Sequence, residues 1–275
     1  MMTYKEAYDK GRKSIISDEA DSEAALLLEY VCNTGREDLF AHPERELDEN
    51  EEREFFGLVE RRNSGEPVQY ITGRAYFYGL EFFVDKSVLV PRFDTEVLVY
   101  ETIKRAKKNA SLLDLCTGSG CIALAIKNER ADINVTASDI SFAALDTAEK
   151  NMKELSLDVS FVKSDLFENI EGKFDIIVSN PPYIPTKVIE DLDEKVRDFE
   201  PFGALDGGDD GLGFYRRIIK EAADYLADKA CLVMEIGYDQ AEAVSGILRD
   251  NGYEKIETIK DLNGLDRVVS AVFGG

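Results

Sequence analysis

Phe174-Asp175-Ile176-Ile177-Val178-Ser179-Asn180-Pro181-Pro182-Tyr183 is the stretch from which the fold is read. Its first half is apolar and β-branched, the composition of a buried strand. Its second half cannot continue in a regular element. Asn180 and Pro181 each precede a proline, which pushes both out of the right-handed helical region. The strand therefore stops with Asn180 displayed at its carboxyl edge. Ligands of open α/β sheets bind off that edge. Asn180, Pro181, Pro182 and Tyr183 are thus candidate substrate-facing residues: an amide, two rigid rings and an aromatic.

Outward from this strand, apolar runs over residues 112–116, 133–138, 159–163 and 231–236 read as further strands. Helical periodicity covers 121–128, 141–155, 211–228 and 241–250. Residues 253–259 and 267–273 are strand-like, with no room for a helix between them, and should pair antiparallel. Such alternation implies an α/β fold with a mostly parallel seven-stranded sheet and helices on both faces. One reversed strand is expected at its edge. Residues 3–63 read as a small helical bundle, broken near Ser17-Asp18, Asn33-Thr34-Gly35 and His42-Pro43. The aromatic-rich segment 76–84, with Gly79 at its middle, reads as a β-hairpin. Asp94 or Thr95 can cap a helix running to about residue 108. The expected domains are a helical bundle over 1–75, a hairpin linker over 76–88 and a catalytic domain over 89–275. The bundle is either a structural cap or a docking surface for a macromolecular substrate.

The net charge of −22 over 275 residues repels phosphate backbones and argues against nucleic acid as a partner. No run approaches the roughly 20 apolar residues that span a bilayer, and the start lacks a signal-peptide pattern. A cytoplasmic protein without membrane association is expected. The four cysteines, Cys32, Cys116, Cys121 and Cys231, form no C-x-x-C pair, and His42 is the sole histidine. Neither a zinc site nor a His-dependent triad is supported, so no metal is expected.

Asp114-Leu115-Cys116-Thr117-Gly118-Ser119-Gly120 lies between a strand and a helix, where glycines permit a tight turn and close approach of backbone to ligand. The third glycine that a pyrophosphate-binding turn wants is missing, since Cys121-Ile122-Ala123 follows. Asp139 ends the next strand, where a carboxylate accepts hydrogen bonds from ribose hydroxyls. A ribose without a pyrophosphate points to S-adenosylmethionine. Its candidate contacts are Cys116, Thr117, Gly118, Ser119, Gly120, Asp139, Asn180 and, beside the adenine, Asp165 and Leu166.

Several motifs together carry a specific match. They are Pro67-Val68-Gln69-Tyr70-Ile71-Thr72-Gly73, Val90-Pro91-Arg92, Asp94-Thr95-Glu96, the glycine turn and Asn180-Pro181-Pro182-Tyr183. Glu200-Pro201, Ala204-Leu205, Gly207-Gly208, Asp210-Gly211, Glu235-Ile236-Gly237 and Asp266-Arg267-Val268 extend it. From Pro67 onward the chain resembles the bacterial peptide chain release factor glutamine N5-methyltransferases. The resemblance implies a Rossmann-like class I methyltransferase fold and methyl transfer from S-adenosylmethionine to the Gln side chain of a Gly-Gly-Gln loop. The implied partners are class I release factors, met by a monomer, with Asn180 and Pro181 as the catalytic residues. Phe93 stands where the family usually has Pro, and Leu166 where some members carry an aromatic. The alternatives are a nucleic-acid adenine N6-methyltransferase, which shares Asn-Pro-Pro-Tyr, and a non-catalytic cofactor-binding module.

Overall fold

Hydrophobic periodicity near 3.6 gives way to alternation at about residue 74, and the structure divides there. The computed structural model describes residues 2–274. One compact unit holds residues up to 74 together with 194–199, and the other holds 75–193 and 200–274.

The first unit contains α1 (Tyr4–Ser14), α2 (Ala20–Cys32), α3 (Arg36–Ala41), α4 (Glu49–Asn63) and α5 (Val68–Thr72). Thr3 with Glu6, and Asp48 with Glu51, close capping boxes at the starts of α1 and α4. Gly11 on α1 leaves room for the Phe55 ring of α4, where any Cβ would collide with it. Tyr4, Leu27, Leu28 and Phe55 are fully buried between the helices, each such aliphatic side chain contributing about 1.5–3 kcal/mol. A buried Arg62–Glu23 ion pair at 2.7 Å joins α4 to α2.

The second unit opens with the hairpin β1 (Arg74–Phe77) and β2 (Leu80–Phe83), turned by Tyr78 and Gly79, both at positive φ. Then come α6 (Glu96–Arg105), β3 (Ser111–Leu115), α7 (Cys121–Glu129), β4 (Asn134–Asp139), α8 (Phe142–Leu155), β5 (Ser160–Lys163) and β6 (Phe174–Ser179). The short helices α9 (Thr186–Ile189), α10 (Glu194–Arg197) and α11 (Phe202–Leu205) follow, α10 belonging to the first unit. The chain closes with α12 (Gly213–Ala222), β7 (Leu226–Glu235), α13 (Ala241–Asp250), β8 (Tyr253–Lys260) and β9 (Asp266–Phe273). The seven-stranded sheet has the order β5-β4-β3-β6-β7-β9-β8. Leu113 and Ile177 face the side covered by α12 and α13, while Leu112, Ile176 and Val178 face α6 and α7. This is the period of two that a strand buried on both faces requires.

Three expectations need correction. The reversed strand is not at the sheet edge: β9 lies between β7 and β8, antiparallel to both. Its run Val268–Ala271 is fully buried, whereas β8 is mostly exposed, so the more apolar strand takes the inner place. The helix expected over 211–228 ends at Ala222, because Tyr225 turns back onto Ala222 and Leu226 pairs with Phe174. The helix after Thr95 stops at Arg105, and the Thr95 side chain makes no cap bond. No helix among the described residues is long and apolar enough to cross a membrane.

Candidate active site

Parallel pairing aligns the strand ends: Leu115 lies opposite both Ser138 and Ser179, and Asp139 opposite Lys163. The turns after β3, β4, β5 and β6 therefore open onto one cleft of about 410 Å³, which lies wholly within the second unit. Cys116, Thr117, Gly118, Ser119, Asp139, Asp165, Leu166, Asn180 and Pro182 all line it. Gly120, Pro181 and Tyr183 are not among the lining residues.

The glycine turn is held from beneath. The Thr117 hydroxyl donates to Asp114 at 2.6 Å, and full burial pushes the Asp114 carboxyl up to about 7 despite that bond. Gly118 sits at φ 55 with nothing in the path of a Cβ, as expected of backbone facing an open cleft. Gly120, at φ 79, meets Ala148 and Leu124 instead, so its place is in helix packing. Asp139 accepts from the Gly118 and Ser141 amides, each at 2.9 Å. Burial raises its pKa, and those amides act against the rise. The Asp139 carboxylate is thus fixed in place, with lone pairs left for a ligand.

Cys116 and Leu166 also have positive φ, at 59° and 48°. Two such non-glycine residues beside one cleft are strain of the kind that clusters at functional sites. The lining carries two cations, and both are engaged: Arg217 with Asp165 at 2.9 Å and Arg92 with Glu200 at 2.5 Å. No free cation among the described lining residues awaits a phosphate. Asp139, the bare Gly118 and the apolar Ile140 and Leu166 fit a nucleoside without a pyrophosphate.

Also in the cleft wall, the Asn180 Nδ2 donates to Thr95 Oγ1 at 3.4 Å, which leaves Oδ1 for an incoming donor. The turn behind Asn180 is clamped. Ile184 donates to Leu205, Gly207 to Ile184, and the Gln240 side chain to the Tyr183 carbonyl at 2.9 Å. A Cβ on Gly207 or Gly211 would strike the Tyr183 backbone, so both glycines are demanded by close approach. The Tyr183 hydroxyl is turned toward Glu235 at 3.4 Å.

Sequence reasoning placed none of Arg92, Thr95, Ile140, Phe214, Arg217 or the segment around Pro201 in the site, and gave Thr95 only a capping role, yet all of them line the cleft. Pro91-Arg92, Thr95 and Glu200-Pro201 stand inside the motifs quoted above, which was the signal available. Phe214 and Arg217 carried none, because they are consecutive-turn neighbours on an ordinary amphipathic helix.

Two family models match the chain: the Methyltransferase small domain over residues 92–194 and the PrmC N-terminal domain over residues 11–73. A release factor glutamine methyltransferase of Geobacter sulfurreducens is 42% identical over 258 residues, covering 94% of this chain and 91% of its own. One from Agrobacterium fabrum is 42% identical, covering 90% and 89%. Among solved structures, a methyltransferase from Pyrococcus furiosus aligns with TM-score 0.56 at 17% identity, over 72% of this chain and 91% of that one, and shares the fold. With two relatives at this identity over nine-tenths of the chain, the protein belongs to the release factor glutamine methyltransferase family.

Proposed function

We propose that the cleft binds S-adenosylmethionine and that the chain methylates the side-chain amide nitrogen of the Gln in the Gly-Gly-Gln loop of class I release factors. Asp139 would accept the two ribose hydroxyls, the Gly118 backbone would lie against the ligand, and Asp165 and Leu166 would flank the base. When bound, S-adenosylmethionine supplies an electrophilic methyl group on a sulfonium centre. The substrate side is the harder one, because a carboxamide nitrogen delocalises its lone pair into the carbonyl. Positioning must therefore carry much of the rate. The Asn180 Oδ1 and the Pro181 carbonyl each accept one N–H of the amide, turning its nitrogen toward the cofactor end of the cleft. Both oxygens also stabilise the positive charge that grows on nitrogen during transfer. Pro181 suits this role because the following Pro182 restricts its ψ and so fixes the direction of its carbonyl.

The observation that carries the reading is the state of Asn180: at the cleft wall, its NH₂ already engaged by Thr95 and its oxygen left to accept. The net charge of −22 supports a protein rather than a nucleic-acid substrate. The test is methyl transfer from labelled cofactor, with a class I release factor and adenine-containing DNA and RNA offered in parallel. Label on the release factor alone is expected. Label on nucleic acid alone would overturn the substrate assignment.

A further inference from the structure

The glycine turn cannot hold its own shape. Ser119 is flanked by Gly118 at φ 55 and Gly120 at φ 79, and a glycine leaves such a conformation as readily as it enters it. Side chains outside the turn must fix it. Asp114 takes the Thr117 hydroxyl and Asp139 takes the Gly118 amide. Asn151, on α8, holds the next residue: its Nδ2 donates to the Ser119 carbonyl at 2.9 Å.

Asn151 is 1% exposed. Its Oδ1 accepts from the Phe83 amide at 2.7 Å, and its Nδ2 donates to the Phe83 carbonyl at 3.0 Å. The side chain therefore pairs with the end of β2 as a neighbouring strand would, and its remaining Nδ2 hydrogen goes to Ser119. Two donors and an acceptor on one planar group are what an amide offers, and an ionised carboxylate offers no donor at all.

Ala143, Thr147 and Asn151 are four residues apart and share one face of α8. The Ser87 hydroxyl lies 3.1 Å from the Thr147 hydroxyl and 3.3 Å from the Ala143 carbonyl. Ser87, Val88, Leu89, Pro91 and Arg92 line the cleft, as does Ala144. Ala148, one turn along, lies against Gly120. Thus α8 carries two walls of the cleft at once: the glycine turn and the segment that follows the hairpin. Asn151 is bonded to the turn and to the hairpin together, and neither it nor Phe83 is among the lining residues.

We propose that Asn151 is a positioning residue for S-adenosylmethionine, fixing the glycine turn through the Ser119 carbonyl and joining it to the hairpin. This rests on the cofactor assigned to the cleft above. Without the Asn151 amide, the Ser119 carbonyl is buried with no donor, and a peptide set between two glycines turns away to find one. The Gly118 backbone then no longer presents the surface against which the ligand lies. Coupling between sites is reciprocal, so a ligand that steadies the turn also steadies the Phe83 pair.

The experiment uses full-length wild type, N151D and N151S. It reads calorimetric Kd for S-adenosylmethionine, kcat on a Gly-Gly-Gln peptide at saturating cofactor, and hydrogen exchange of the Phe83 amide with and without cofactor. Both variants should raise Kd roughly 10–100-fold, the range for leaving a buried carbonyl unmatched. Their kcat at saturating cofactor should stay near wild type, because only cofactor binding is weakened. Protein that fails to fold lowers the calorimetric stoichiometry and not Kd. In wild type the cofactor should slow exchange at Phe83, and in N151D that slowing should be lost; the wild-type half of this comparison needs no variant to fold. Wild-type Kd in both variants, or a fall in kcat with Kd kept, would overturn the proposal alone. So would Phe83 exchange in wild type that ignores the cofactor. A wild-type protein that binds no S-adenosylmethionine would overturn the cofactor reading as well.

Discussion

At the scale of single residues, the roles proposed for Asp139 and Asn180 can be separated. Asp139→Ala removes the proposed ribose acceptor and should weaken S-adenosylmethionine binding by about 1.5–3 kcal/mol, the scale for a hydrogen bond to a charged group. Calorimetry returning wild-type affinity would remove Asp139 from the site. Asn180→Ala should leave that affinity intact and lower kcat about 10²–10³-fold, since only contacts to the substrate amide are lost. Steady-state rates at saturating cofactor decide it. Asp114 shows what supporting the glycine turn costs. Its folded pKa is raised to about 7 by full burial, above the ordinary carboxylate value. The sign follows: its contribution to stability is fully present below about pH 4 and is lost as pH rises through about 7, on the order of 2–4 kcal/mol. The thermal midpoint of Asp114→Asn, measured relative to wild type, should therefore rise steadily between those pH values. A constant offset would show that Asp114 does not titrate in that window.

At the scale of elements, the strands were legible because burial on both faces leaves near-continuous apolar runs such as Ile176–Val178, bounded by residues that cannot continue them. The glycine turn and Asp139 were legible because a missing glycine and a strand-end acid each have a direct physical meaning. The segment from Ile184 to Leu212 was not. Its helices α9 and α11 are only four residues long and are placed by distant bonds, such as Ile184 to Leu205 and Gln240 to Tyr183, that no local pattern announces. Thr95 reads as a cap from its neighbours, and only the folded chain turns it to Asn180. Glu235 reads as one more acid after a strand, and its burial beside Tyr183 is invisible without the sheet order. The clamp on Tyr183 yields its own prediction. Gly211→Ala forces a Cβ against the Tyr183 carbonyl at a residue with φ 73. It should lower kcat more than it lowers cofactor affinity, because the displaced backbone belongs to the turn behind Asn180 and not to the glycine turn. Equal losses in the two would show that the clamp serves the whole cleft.

The whole molecule must choose one glutamine among all those in a cell, and an amide is too small a determinant for that choice. Remote contacts can supply binding energy that is used at the reacting centre. The first unit has its own core, its own caps and no residue among those lining the cleft, and we propose that it docks the release factor. A chain beginning at Ala75 should bind S-adenosylmethionine and methylate a Gly-Gly-Gln peptide about as well as the full chain. It should lose much of its rate on the intact factor. Equal loss on peptide and factor would make the first unit a stabiliser of the fold. The central claim is that an amide held by Asn180 is the methyl acceptor, and the site of modification tests it most directly. A class I release factor incubated with the protein and labelled S-adenosylmethionine should, on peptide mapping by mass spectrometry, carry one methyl group on the Gln side chain of its Gly-Gly-Gln loop. A methyl group on any other residue, or an unmodified loop in a factor that has taken up label, would contradict it.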